Sequence, residues 1–182
     1  MIATDNVGNR EANKVVAENT TTLSPTSIST CPGENIKITA NSFGSGFIYQ
    51  WQVNKGQGFT ILSDDTIYAN TNSKELSLIN PPSSMYGYQF RCVGINGSTI
   101  NTSKTWDIKF SNTWAGTVST AWENPANWTC NRIPDEFVDV IVSYTFNAPL
   151  VNSHAACRGL KLLNGAVCNV NPAFSLEIKG KK

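Results

Sequence analysis

The sequence predicts an all-β chain, and three observations carry that expectation. Val and Ile number 26 against 11 for Leu and Met, a bias toward the β-branched side chains that pack well on a pleated surface. Asn, Ser and Thr supply 56 of the 182 residues, which is the composition of polar turns. No segment sustains a 3.6-residue apolar period; short apolar runs are instead separated by clusters of Gly, Pro, Asn and Ser. The formal charge of +1, with charged residues at 15%, provides no basic field for nucleic acid or anionic lipid. No apolar run approaches the roughly 18 residues of a spanning helix, so no membrane insertion is expected.

The first segment, residues 1–22, contains IATDNVGNREANKVV, with an Asx/Gly turn at Asn6 to Asn9 between two extended pieces and no core of its own. The stretch ATDNVGN resembles the end of hyalin-repeat-like and related Ig-like bacterial domains. It is expected to be an N-terminal strand or linker left from a preceding domain, or a free strand that pairs with a neighbouring molecule. Neither a basic start nor an apolar core follows Met1, so no signal peptide is read, and the chain is expected to come from a longer secreted protein.

Residues 23–110 carry strand signals at sandwich spacing: NIKITA, FIYQWQV, GFTIL, KELSLIN, YQFRCVGI and KTWDIKF. Alternation puts Ile36 and Ile38 on one buried face and Trp106, Ile108 and Phe110 on another. Trp51 shares a face with Tyr49, and Phe90 with Cys92. A Trp on the third strand and an aromatic two residues before a late Cys resemble the core of the immunoglobulin fold, which implies an Ig-like β-sandwich. The stretches CPGENIKITA, YQWQVNKGQGFTIL and MYGYQFRCVG resemble Ig-like repeats of large surface proteins of Bacteroidetes-type bacteria. An ordinary Ig domain would place its first Cys near Ile38, whereas Cys31 precedes that strand at a Pro-Gly turn. Cys31 and Cys92 are the two Cys of this half, and their pairing is expected.

Residues 111–182 change character: TWAGTVSTAWENPANWTCNRIP, then VDVIV, a Pro-containing loop, and GLKLL, AVCNV and SLEIKG. The spacing of Trp114, Gly116, Trp122, Asn127-Trp128 and Ile133-Pro134 resembles a Trp-rich β-module of the same class of secreted proteins. That resemblance implies a small all-β unit continuing as rungs stacked like the start of a parallel β-helix. Cys157, Leu160 and Leu162 fit one rung, and Cys168 and Val170 the next. In this register Cys168 takes an inward apolar slot as a free thiol, and Cys130 and Cys157 are left to pair. The chain closes without a polar capping segment, so further rungs are expected in a parent protein.

Five Cys without a C-x-x-C pair and a single His do not make the usual zinc sets, so no metal and no cofactor are expected, and the Cys are read as disulfides of a protein outside the cytosol. His154 lies near Ser153 and Cys157, but a residue three along in one loop lacks the separately oriented base that nucleophilic catalysis requires. Asp64-Asp65 and the set Asp135, Glu136 and Asp139 are read as solvated carboxylates rather than a glycosidase pair or a calcium loop. No catalytic residue is assigned. Trp114, Trp122 and Trp128, with Trp106 upstream, are candidate glycan contacts because sugar rings stack on exposed indoles; core packing is the competing and favoured reading. Tyr86 and Tyr88, flanking Gly87, are placed near the surface. Asn19, Asn96, Asn101 and Asn127 each head an N-x-S/T triplet, expected by chance in a chain so rich in Asn and Thr. Asp65-Thr66-Ile67 matches the short O-glycosylation sequon of Bacteroidetes-type exported proteins, which makes Thr66 the candidate acceptor.

The function expected from this reading is a non-enzymatic structural and adhesive module of a large extracellular or cell-surface protein. Its partners would be neighbouring domains of the same chain, surface glycans or other proteins, and the resemblance to exported cargo implies type IX secretion. The alternatives are a carbohydrate-binding accessory segment of a secreted hydrolase and an appendage subunit that works by strand exchange.

Overall fold

The computed structural model describes residues 26–180, so the expectations for residues 1–22, including the Asn6 to Asn9 turn and the triplet at Asn19, lie outside the described residues. The first unit is an Ig-like β-sandwich. Strands β1 (Thr26–Thr30), β2 (Ile36–Thr39), β3 (Ile48–Asn54), β4 (Phe59–Ile61), β5 (Tyr68–Ala69), β6 (Glu75–Leu78), β7 (Gln89–Asn96), β8 (Thr99–Thr102) and β9 (Trp106–Trp114) divide into two sheets. One sheet is antiparallel β2-β6-β5; the other runs from β4 through β3 and β7 to β9, with β8 on β7 and β1 parallel to β9.

The alternation read from the sequence decides what faces inward. Ile36 and Ile38 from one sheet meet Trp51, Phe90, Ile108 and Phe110 from the other, all buried, with Leu76 and Leu78 beside them. Trp51 is fully buried yet keeps its polar edge satisfied, since its Nε1 donates to the Ser73 carbonyl at 2.9 Å, and its ring lies 5.5 Å from that of Trp106. Gly94 has a packing reason: a Cβ there would sit 2.3 Å from the Phe43 ring. The loop before β5 is closed by Asp64, which accepts from the Thr71 hydroxyl and amide and the Asn70 amide; these bonds hold its carboxyl below the ordinary range.

The second unit begins inside β9. Residues 106–110 of that strand pair with β1, whereas residues 111–114 pair in parallel with β10 (Asp139–Val142), so the divide expected between Phe110 and Ser111 falls within one unbroken strand. Strands β10, β11 (Leu150–Val151) and β12 (Ala155–Cys157) make one rung, and β13 (Gly159–Leu162), β14 (Asn169–Val170) and β15 (Leu176–Ile178) make the next. Each strand lies parallel to its counterpart one rung away, the arrangement of a parallel β-helix. Val140 and Val142 are buried because β9 and β13 flank their strand. Among the described residues the β13–β15 rung is paired on one side only. Leu160 packs on the core while Leu162 and Val170, both expected to belong to the rungs, are exposed.

The cysteine pairing departs from both expected bridges. Cys31 bonds Cys130, with 5.5 Å between their Cα atoms, and Cys92, Cys157 and Cys168 are free. The physical reason is position. Cys31 follows the last β1 residue, Thr30, whose register partner is Phe110, and the Cys130 Sγ lies 3.3 Å from the Ser111 carbonyl, so both Cys meet where β9 changes partners. Cys92 is sealed in the sandwich core, where burial pushes its thiol up to about 11. Cys157 is likewise buried, and Cys168 packs against the same cluster, partly exposed rather than fully enclosed.

Candidate functional site: the joint between the two units and the surfaces beside it

Three groups of contacts cross the joint besides the strand and the disulfide. Tyr86 leaves the short turn after Ser83–Met85 and donates its hydroxyl to Asp139 Oδ2 at 2.7 Å; Arg158 Nη1 donates to Asp139 Oδ1 at 2.8 Å. The Arg158 guanidinium also lies 3.8 Å from the Tyr86 ring centre, so a cation–π contact closes a triangle of ring, carboxylate and cation. Burial first, then the hydrogen bond to Asp139, raises the Tyr86 phenol above its ordinary value. Gly159 makes room for the carboxylate, since a Cβ there would stand 2.7 Å from Asp139 Oδ1. Ser83 Oγ donates to Asp135 Oδ2 at 2.6 Å, and Ser29 and Ser111 share a hydroxyl bond at 3.0 Å.

Asn112 is the buried polar member of the joint. Its Nδ2 donates to the Arg132 carbonyl at 2.7 Å, and its Oδ1 accepts from the Cys130 amide at 3.1 Å and the Thr129 hydroxyl at 3.2 Å. The side chain therefore fixes the disulfide-bearing segment against β9, and its satisfied bonds explain how an amide is tolerated there.

The candidate glycan contacts Trp114, Trp122 and Trp128 are corrected by their burial: each is 0–1% exposed, and no ring face is open for a sugar. They form the small core instead. Trp128 meets Trp114 and Trp122 edge-on at 5.0 Å and 4.6 Å, and its Nε1 donates to the Trp122 carbonyl at 2.8 Å. Asn127 is buried as well. It accepts from the Val118 and Ser119 amides and donates to the Ser119 hydroxyl and the Ala121 carbonyl, so all its hydrogen-bonding capacity holds the loop in front of it. Thr66 stands exposed on a turn that Asp65 closes by accepting from the Ile67 and Tyr68 amides.

A cleft of about 460 Å³ opens between the rungs and the 133–136 loop, lined by Trp122, Glu123, Asp135, Glu136, His154 and Lys179 among others. His154 and Glu123 in this cleft are engaged in holding loops. His154 Nδ1 bonds Ser175 Oγ at 3.0 Å, and Glu123 accepts from the Asn152 amide and the Ser153 hydroxyl. The Cys157 thiol is buried and pushed up to about 11, mainly by that burial, so it carries little thiolate at neutral pH. Asp139 does not join Asp135 and Glu136 in this cleft; it belongs to the joint. Among the described residues no three His, Cys, Asp or Glu side chains converge as a metal set, and no helix is long and apolar enough to cross a membrane.

The Tyr86–Asp139–Arg158 triangle had no signal in the sequence, because its members come 53 and 19 residues apart from three separate turns and strands. The exposed aromatic residues Tyr144 and Phe146 also leave no signal in the sequence, because their loop has no apolar period.

Residues 113–181 match the model of a family described as a domain of unknown function, DUF8693. No curated protein matches the chain. Among solved structures, the chain is similar to the N-terminal eight Ig domains of Down Syndrome Cell Adhesion Molecule, at 11% identity and TM-score 0.40, over 48% of this chain and 14% of that one. It is similar to the N-terminal four Ig domains of Dscam1 isoform 7.44, at 10% identity and TM-score 0.40, over 48% of this chain and 24% of that one. A further Dscam structure, described as the basis of isoform specificity, matches at 11% identity and TM-score 0.41, over 50% and 24%. The chain thus spans 14–24% of the length of these structures.

Proposed function

We propose that this chain is a non-enzymatic structural and adhesive segment of a large secreted or cell-surface protein, in which two β-units form one stiff spacer. The observation that carries the reading is the joint: an unbroken strand serves both units, and a disulfide and a ring–carboxylate–cation triangle close over it. Inter-domain contacts of ordinary size leave domains free to move, whereas shared backbone pairing with a covalent cross-link removes the hinge. The disulfide supports an oxidising, extracellular location. The resemblance to Bacteroidetes-type surface repeats supports export by the type IX route, and the exposed Asp65-held turn supports O-glycosylation at Thr66.

A non-enzymatic role follows from what the cleft residues do. His154 stands 3.0 Å from the Ser175 hydroxyl, but among the described residues no carboxylate hydrogen-bonds the imidazole to orient it as a base, and Cys157 is sealed in the core. Screening the purified chain against peptide, ester and glycoside substrates is expected to give background turnover only. Turnover lost on replacing His154 or Asp139, in a variant that keeps its melting temperature, would overturn this reading.

A further inference from the structure

The second unit turns the same corner three times. Residues 115–121 follow β9, residues 143–149 follow β10, and residues 163–168 follow β13. The register stacks these turns, because β9, β10 and β13 are neighbours in one parallel sheet while Ala121 and Asn169 both pair with Leu150 in the next. The three segments read AGTVSTA, SYTFNAP and LNGAVC, without one Asp, Glu, Lys, Arg or His among them. Loops stacked on one side of a solenoid commonly form its binding face.

This corner displays its apolar side chains instead of hiding them. Phe146 is 100% exposed, Tyr144 77% and Val118 61%. The backbone that carries them is nonetheless fixed. Thr145 Oγ1 donates to the Asn147 carbonyl at 2.9 Å, Asn147 Nδ2 donates to the Gly116 carbonyl at 2.8 Å, and the buried Trp114 donates its Nε1 to the same Asn147 carbonyl at 2.8 Å. Gly116, at φ +57°, lets the first two loops close up, since a Cβ there would stand 2.7 Å from the Asn147 oxygen. With the loop backbone already held, binding orders little besides the rings' own rotamers, so covering them is favourable.

We propose that this corner binds neutral carbohydrate, with Phe146 and Tyr144 as the rings against which sugar CH faces stack. A pyranose offers an apolar face to a ring and hydroxyls at its edge, and exposed Thr120 and Asn164, on the two loops stacked against the aromatic one, carry hydrogen-bonding side chains. The absence of charge across all three loops matches an uncharged ligand and gives no attraction for an anionic or cationic one. A protein partner would need roughly 800 Å² from each side around a buried centre, a larger contact than two exposed rings and a neighbouring Val supply. The inference is independent of the stiff-spacer reading, which stands or falls on the joint.

The test is retention of the oxidised chain on insoluble cellulose, xylan and mannan, with heparin as the charged comparison. Retention on at least one neutral polysaccharide, insensitive to salt, is expected. Phe146→Ala and Tyr144→Ala should each weaken it about tenfold while leaving the melting temperature unchanged, since both side chains are exposed. Absence of retention on all three, or retention that survives both substitutions, would overturn the proposal. So would self-association abolished by Phe146→Ala, which would assign the corner to a second copy.

Discussion

Replacing Trp128 by Ala is expected to lower stability by about 3 to 5 kcal/mol, the usual cost of truncating a buried indole. Trp128 is wedged edge-on between Trp114 and Trp122, bonds the Trp122 carbonyl, and sits at the isolated bridge that pairs its segment with the end of β9. Its loss removes apolar area, two aromatic contacts and a hydrogen bond from a core with few other large side chains. Thermal or denaturant unfolding of Trp128→Ala should therefore show a large fall in midpoint. An unchanged midpoint would contradict the place of the indole in that core.

Opening the Cys31–Cys130 bridge by Cys31→Ser with Cys130→Ser is expected to be of similar size. The two Cys stand 99 residues apart, and in the chain-entropy account a loop of that order, once cross-linked, is worth about 4 to 5 kcal/mol through the unfolded state alone. Because the bridge spans the joint, its removal should also let the two units melt at different temperatures. Calorimetry of the oxidised chain and of the double variant tests both points. Peptide mapping without reductant should recover Cys31 linked to Cys130, with Cys92, Cys157 and Cys168 alkylated once the chain is unfolded; a bridge from Cys31 to Cys92 would contradict the structure.

Much of the fold was legible because alternation reports burial directly. Ile36 and Ile38 in β2, and Trp106, Ile108 and Phe110 in β9, read as core and are core. Strand β1 was missed because TSIST is polar and largely exposed, and it gains its place by pairing with β9, a long-range event that no local pattern records. The disulfide was misread for a related reason. Pairing Cys within each half assumes the halves are separate, whereas Cys31 and Cys130 meet only because β9 passes from one unit to the other. The three Trp were legible as core from their size and number. That Phe146 and Tyr144 point to solvent was not, since in an irregular loop a displayed ring and a buried one leave the same trace in sequence.

The central claim is that the joint makes the two units one body. Nitrogen-15 relaxation of the oxidised chain tests it most directly, by comparing amides of residues 26–106 with those of residues 113–180. A single rotational diffusion tensor fitting both sets is the expected result. Two independent tensors, each with the shorter correlation time of a separate small domain, would contradict it.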